Sequence, residues 1–200
     1  MPHQNDDLHG NAPDKSPVAL LIIDMINDLE FEDGERLERP AVEAAAKIAT
    51  LKERCRAAGV PAIYANDNFG RWRSDFRQVV ERALHDEVRG RRLAELLTPE
   101  PDDYFVLKPK HSAFFETTLE TLLRYLGTKR LILTGITGDI CVKLTANDAY
   151  MRDYEMLIPT DCTASVDPQE NEHALTYCER VLKVKLTTAE AIDVDALVRA

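Results

Sequence analysis

The stretch VALLII at Val18–Ile23 is apolar at every position. A strand with one wet face alternates apolar and polar residues, so an unbroken run of this length must be covered on both faces. Further short β-rich runs follow at Pro61–Ala65, Tyr104–Leu107, Leu131–Thr134 and Met156–Pro159, with a weaker one at Val184–Thr187. Between them the apolar residues change to helical spacing. Ala41, Ala44, Ala45, Ile48 and Cys55 form one stripe, with Pro40 expected in its first turn and Gly59 expected to cap its end. Leu119, Leu122, Leu123 and Leu126 form a second, closed by Gly127. Val142, Ala146 and Ala149 mark a third, and Ala174, Leu175, Cys178, Val181 and Leu182 a fourth. Strands alternating with helices define an α/β chain around a buried parallel sheet. Residues 66–103 are less regular and are expected to form short helices and loops.

With 200 residues, the chain favours one domain, read as 17–200 behind a polar arm at 1–16 that lacks the apolar run of a signal peptide. The longest apolar stretch is too short to span a bilayer. A net charge of −10 would repel phosphate backbones, so neither nucleic acid nor membrane is expected as a partner. The cysteines Cys55, Cys141, Cys162 and Cys178 include no CxxC pair and fit reduced thiols in a cytoplasm.

An open parallel sheet binds ligands beyond the carboxyl ends of its strands. There the sequence places Asp24 after the first strand, Asn66 and Asp67 after the second, Lys108 after the third, and GITGDIC after the fourth. Cys141 falls at a predicted helix start, where unpaired N–H groups and the helix dipole favour thiolate and can hold an oxyanion. A carboxylate at the end of a buried strand needs a cation, and Lys108 occupies the matching position. The three residues take roles on chemical grounds: Asp24 accepts the thiol proton, Lys108 holds the carboxylate, and Cys141 attacks. Each also has a plainer reading: strand-end cap for Asp24, solvated lysine for Lys108, packed thiol for Cys141.

The segments LLIIDMIND, VLKPKHSAFFETTLETLLRYLG and LILTGITGDICVKLTANDAYMRDYEMLIPTDCTAS together resemble the isochorismatase-like cysteine hydrolases, over about residues 17–190. The resemblance implies a three-layer α/β/α sandwich with a six-stranded, mostly parallel sheet. It implies a catalytic triad of Asp24, Lys108 and Cys141, and a cis peptide between Ile136 and Thr137 that aims the N–H groups of Thr137 and Cys141 at the substrate oxygen. The implied reaction is attack of Cys141 on a carbonyl carbon, release of an amine and hydrolysis of the thioester, on a small amide, ureido or carbamoyl compound. It also implies a homodimer or homotetramer.

Departures from the pattern carry information as well. The stretch after the second strand, NDNFGRWRSDF, has no histidine, and His3, His9, His85, His111 and His173 show no ligand spacing, so neither a metal nor a cofactor is expected. Ile26 and Leu29 stand where the family usually carries a glutamine and an aromatic residue, which predicts an aliphatic pocket floor. Leu29, Asn66, Phe69 and Trp72 are the candidate substrate contacts. Arg71, Arg73 and Arg77 with Asp75 read as a solvated cluster, with an arginine available for a substrate carboxylate. Cys162 reads as a packed thiol and Asp161 as a loop-fixing residue. The alternatives are a vinyl-ether hydrolase working through Asp24, and a catalytically silent binding or assembly module. A dinucleotide-binding role lacks its glycine signature after the first strand.

Overall fold

A computed structural model describes residues 15–67, 75–85 and 87–199. The elements are β1 (Val18–Ile23), α1 (Gly34–Ala57), β2 (Ala62–Asp67), α2 (Phe76–His85), α3 (Arg91–Leu96), β3 (Tyr104–Lys108), α4 (Leu119–Leu126) and β4 (Arg130–Ile136). They continue through α5 (Lys143–Tyr150), β5 (Glu155–Pro159), β6 (Thr163–Ala164), α6 (Pro168–Leu182), β7 (Lys185–Thr187) and α7 (Val194–Arg199). The strands lie in the order β3-β2-β1-β4-β5-β7, with the two-residue β6 pairing β4, and every pairing is parallel. The expected α/β/α sandwich is therefore present, with β6 as an addition too short to leave a sequence signal.

All six residues of β1 are buried because its pleat feeds two cores. Val18, Leu20 and Ile22 pack with α1, α2, α3 and α7, while Ala19, Leu21 and Ile23 pack with α4, α5 and α6. Each such leucine or isoleucine contributes roughly 1.5–3 kcal/mol relative to exposure. β1 thus forms a stiff centre from which the chain order runs outward in both directions, placing the topological switch point between the ends of β1 and β4.

Helix α1 begins earlier than the alanine stripe predicts. Leu37 already packs in the core and its N–H bonds the Asp33 carbonyl, so Pro40 lies inside the helix instead of in its first turn. Burial of Leu37 outweighs the hydrogen bond that proline omits. At the other end, Gly59 (φ 71°) adopts the left-handed conformation expected of it, and the N–H groups of Gly59 and Val60 return to the carbonyls of Arg56 and Cys55. Gly127 (φ 75°) ends α4 in the same manner. In α6, Val181 is exposed and does not join the stripe that buries Leu175 and Cys178. Among the described residues no helix is long and apolar enough to cross a membrane.

Candidate active site

Asp24 follows the last residue of β1. Its N–H still bonds the Ala65 carbonyl of β2, and its φ of 54° turns the side chain out of the strand direction. Aspartate tolerates this left-handed geometry better than most residues. Lys108, at the end of β3, is fully buried and lies in register with Asp67 of β2. Its long side chain crosses the end of β2, and Nζ reaches Asp24 Oδ2 at 2.8 Å and Asp67 Oδ2 at 3.7 Å. The Asp67 N–H donates to Asp24 Oδ1 at 2.7 Å. One ammonium thus faces two carboxylates, and both oxygens of Asp24 are held.

Cys141 arrives from the far side of the switch point. After β4 the Ile136–Thr137 peptide is cis, and Gly138–Val142 forms a π-helical turn leading into α5. A β-carbon on Gly135, whose φ is 119°, would stand 2.0 Å from the Ile23 carbonyl oxygen, so only glycine fits this approach to β1. The turn is fastened from behind: the Asp139 N–H donates to the Ser165 hydroxyl at 3.1 Å, and that hydroxyl bonds Asn171 of α6 at 3.0 Å. These contacts set Cys141 Sγ 3.7 Å from Lys108 Nζ, with Asp24 and the backbone N–H of Thr137 also bonded to the sulfur.

Burial pushes the Asp24 carboxyl above the usual carboxylate range, against the opposing pull of Lys108. Burial by itself would lower the Lys108 ammonium, but Asp24, Cys141 and Asp67 together outweigh it and the net shift is upward. Lys108 therefore stays charged, and Asp24 becomes a stronger base than a free carboxylate. Cys141 corrects an expectation. Burial and the adjacent Asp24 carboxylate push its thiol up to about 12, overriding Lys108 and the Thr137 N–H. The resting sulfur is a neutral thiol next to a base, not a preformed thiolate.

Among the other predicted residues, Leu29 and Asn66 are fully buried and offer no surface to a ligand. Leu29 packs in the core with α1, held at φ 55° by bonds from its N–H to Asn27 and from Arg89 to its carbonyl. It is a core residue, not a pocket floor. Asn66 donates Nδ2 to the Ile26 carbonyl at 2.7 Å and so anchors the loop after Asp24. Phe69, Trp72, Arg71 and Arg73 lie outside the described residues, as does the arm up to residue 14. Arg77 is exposed. Cys162 is fully buried, and Asp161 fixes a loop by accepting from the Ala189 N–H at 2.8 Å. Among the described residues no three His, Cys, Asp or Glu side chains converge as a metal cluster.

The sequence puts Asp67 at the rim without giving it a role, and it leaves three features of the site unread. His111 places Nδ1 3.8 Å from Cys141 Sγ, Asp67 joins the ion cluster, and Ser165 with Asn171 fastens the turn. His111 stands three residues after Lys108, and that closeness was the available signal.

Fold and site together define a parallel α/β protein whose cysteine, aspartate and lysine meet at the topological switch point. The chain belongs to the isochorismatase family of hydrolases: the Isochorismatase domain model matches residues 18–191. It is 46% identical over 178 residues, covering 89% of this chain and 97% of the relative, to an uncharacterized isochorismatase family protein, YaaI, of Bacillus subtilis. The ureidoacrylate amidohydrolase RutB of Methylorubrum extorquens is 27% identical over 186 residues, covering 78% of this chain and 73% of the relative. The crystal structure of N-carbamoylsarcosine amidase from Thermoplasma acidophilum superposes with a TM-score of 0.67 at 25% identity, covering 88% of this chain and 98% of that one.

Proposed function

We propose that the protein cleaves a carbon–nitrogen bond of a small amide, ureido or carbamoyl compound through a thioester on Cys141. The observation that carries this reading is the placement of Lys108 Nζ between Asp24 (2.8 Å) and Cys141 Sγ (3.7 Å). Asp24 takes the thiol proton as sulfur bonds the carbonyl carbon, which avoids a standing buried thiolate. The backbone N–H groups of Thr137 and Cys141 donate to the developing oxyanion, and Asp24 passes its proton to the departing nitrogen. Lys108 keeps the cluster near neutrality at each stage. Water then releases the acid.

The reaction is proposed to run without metal. Residues 68–74 contain no histidine, and the Asp67 carboxylate is already drawn to Lys108. Residues 17–200 are read as one domain. Phe69 and Trp72 are assigned to the substrate side, and the cytoplasm is the proposed location, in keeping with four free cysteines. Ile140, Leu144 and Met151 are exposed at helical spacing and support a homo-oligomeric contact.

Release of ammonia or amine from a panel of small amides, ureido acids and carbamoyl compounds tests the reading. At least one should turn over, and Cys141→Ala should return its hydrolysis to background. Full hydrolysis by that variant would refute the thioester.

A further inference from the structure

His111 stands at the open side of the thiol and is unused in the reaction as written above. It is exposed, whereas Asp24 is 5% and Lys108 0% exposed. Its position is not accidental, because the loop that carries it is tied down on both sides. Lys108 Nζ donates to the Lys110 carbonyl at 3.3 Å; the Ser112 hydroxyl bonds Asp148 of α5, and the Ala113 N–H donates to the Thr145 hydroxyl at 3.0 Å. Helix α5 continues directly from the turn bearing Cys141, so imidazole and thiol share one frame.

We propose that His111 is the proton carrier of the deacylation half-reaction, a role that rests on the thioester reading above. In acylation the proton to be moved sits on sulfur, beside Asp24. In deacylation it sits on a water molecule arriving from solvent, and of the two acceptors beside sulfur His111 is the exposed one and Asp24 the buried one. Among the described residues His111 meets such a water from the solvent side of sulfur. Neutral His111 accepts one water proton as the oxygen bonds the thioester carbon. The tetrahedral intermediate collapses with cleavage of the carbon–sulfur bond, and the departing thiolate takes that proton back from the imidazolium. The Nδ1–Sγ separation of 3.8 Å is the path of this return. The acid leaves, and thiol and imidazole are both neutral again.

The two halves of the reaction separate on p-nitrophenyl acetate, whose acyl group is small and whose leaving group needs no proton. Wild type should release nitrophenolate steadily, with little acetyl on Cys141. His111→Gln should give a full one-equivalent burst, a steady rate about 100-fold lower, and acetyl retained on Cys141 by peptide mass. His111→Ala should behave likewise, and added imidazole should restore its steady rate above the Cys141→Ala background. A wild-type steady rate in His111→Gln, a burst that slows in parallel, or failure of imidazole to rescue would overturn the role of His111 alone. Nitrophenolate release by wild type no greater than by Cys141→Ala would overturn the thioester reading itself.

Discussion

Replacing Lys108 with methionine removes the cation that balances Asp24 among the described residues while keeping most of its volume. Lys108 is fully buried, and the Asp24 side chain it contacts is 8% exposed. Breaking such a pair by deleting one partner leaves an uncompensated buried charge, at about 3–5 kcal/mol. For a domain of this size each kcal/mol shifts the unfolding midpoint by about 2–4 °C, so Lys108→Met should lower it by about 6–20 °C at pH 7. An exposed pair such as Arg39–Glu43, with side chains 90% and 66% exposed, supplies the contrast and should cost under about 0.5 kcal/mol. The sign of the pH dependence follows from Asp24, whose carboxyl is already raised by burial. Without Lys108 it rises further, so the variant is penalised above the unfolded carboxylate pKa and regains stability as acid protonates Asp24. Thermal and urea unfolding of wild type, Lys108→Met, Asp24→Asn and the double variant measure this directly. The double variant should be more stable than the sum of the single losses predicts, because neither charge is left unpaired. Strict additivity, or a loss below about 1 kcal/mol for Lys108→Met, would refute the reasoning.

Asp24→Asn should reduce hydrolysis of any accepted substrate by about 10²–10⁴-fold, the range for loss of general base catalysis, as steady-state rates on the amide panel will show. Leu29→Ala should cost about 2–5 kcal/mol in urea unfolding as a core cavity, with KM for an accepted substrate unchanged; a large change in KM at native stability would restore Leu29 to the pocket. Gly135→Ala should fail to fold or lose several kcal/mol, because its β-carbon meets the Ile23 backbone in a left-handed conformation. Circular dichroism melting decides that case.

The sheet was legible because VALLII and its companions are apolar on both faces, and the ends of those strands pointed to Asp24, Lys108 and Cys141. The start of α1 was not, because nothing in the polar segment before the alanine stripe marks Leu37 as the residue that reaches the core. Leu29 was misread for a related reason: its neighbours place it after the first strand, but its burial is set by α1 and by Arg89, which are distant in sequence. The thiol was misjudged because a helix start is a local property, whereas desolvation and the Asp24 charge arise only when two strand ends meet. His111 is barely legible in the sequence, because it shows no ligand spacing and its nearness to Cys141 depends on how the loop after β3 folds onto α5.

The central claim is that Cys141 rests as a neutral thiol with Asp24 as its base. Iodoacetamide alkylation across pH, with each cysteine followed by peptide mass, tests this without a substrate, and the buried Cys55, Cys162 and Cys178 serve as internal references. The account predicts that wild-type Cys141 alkylates slowly near neutral pH, its rate rising only as pH climbs toward about 12. It also predicts that Asp24→Asn alkylates faster at every lower pH, because the opposing carboxylate is gone. Alkylation of wild-type Cys141 below the ordinary thiol range of about 8.5, or no acceleration in Asp24→Asn, would contradict it.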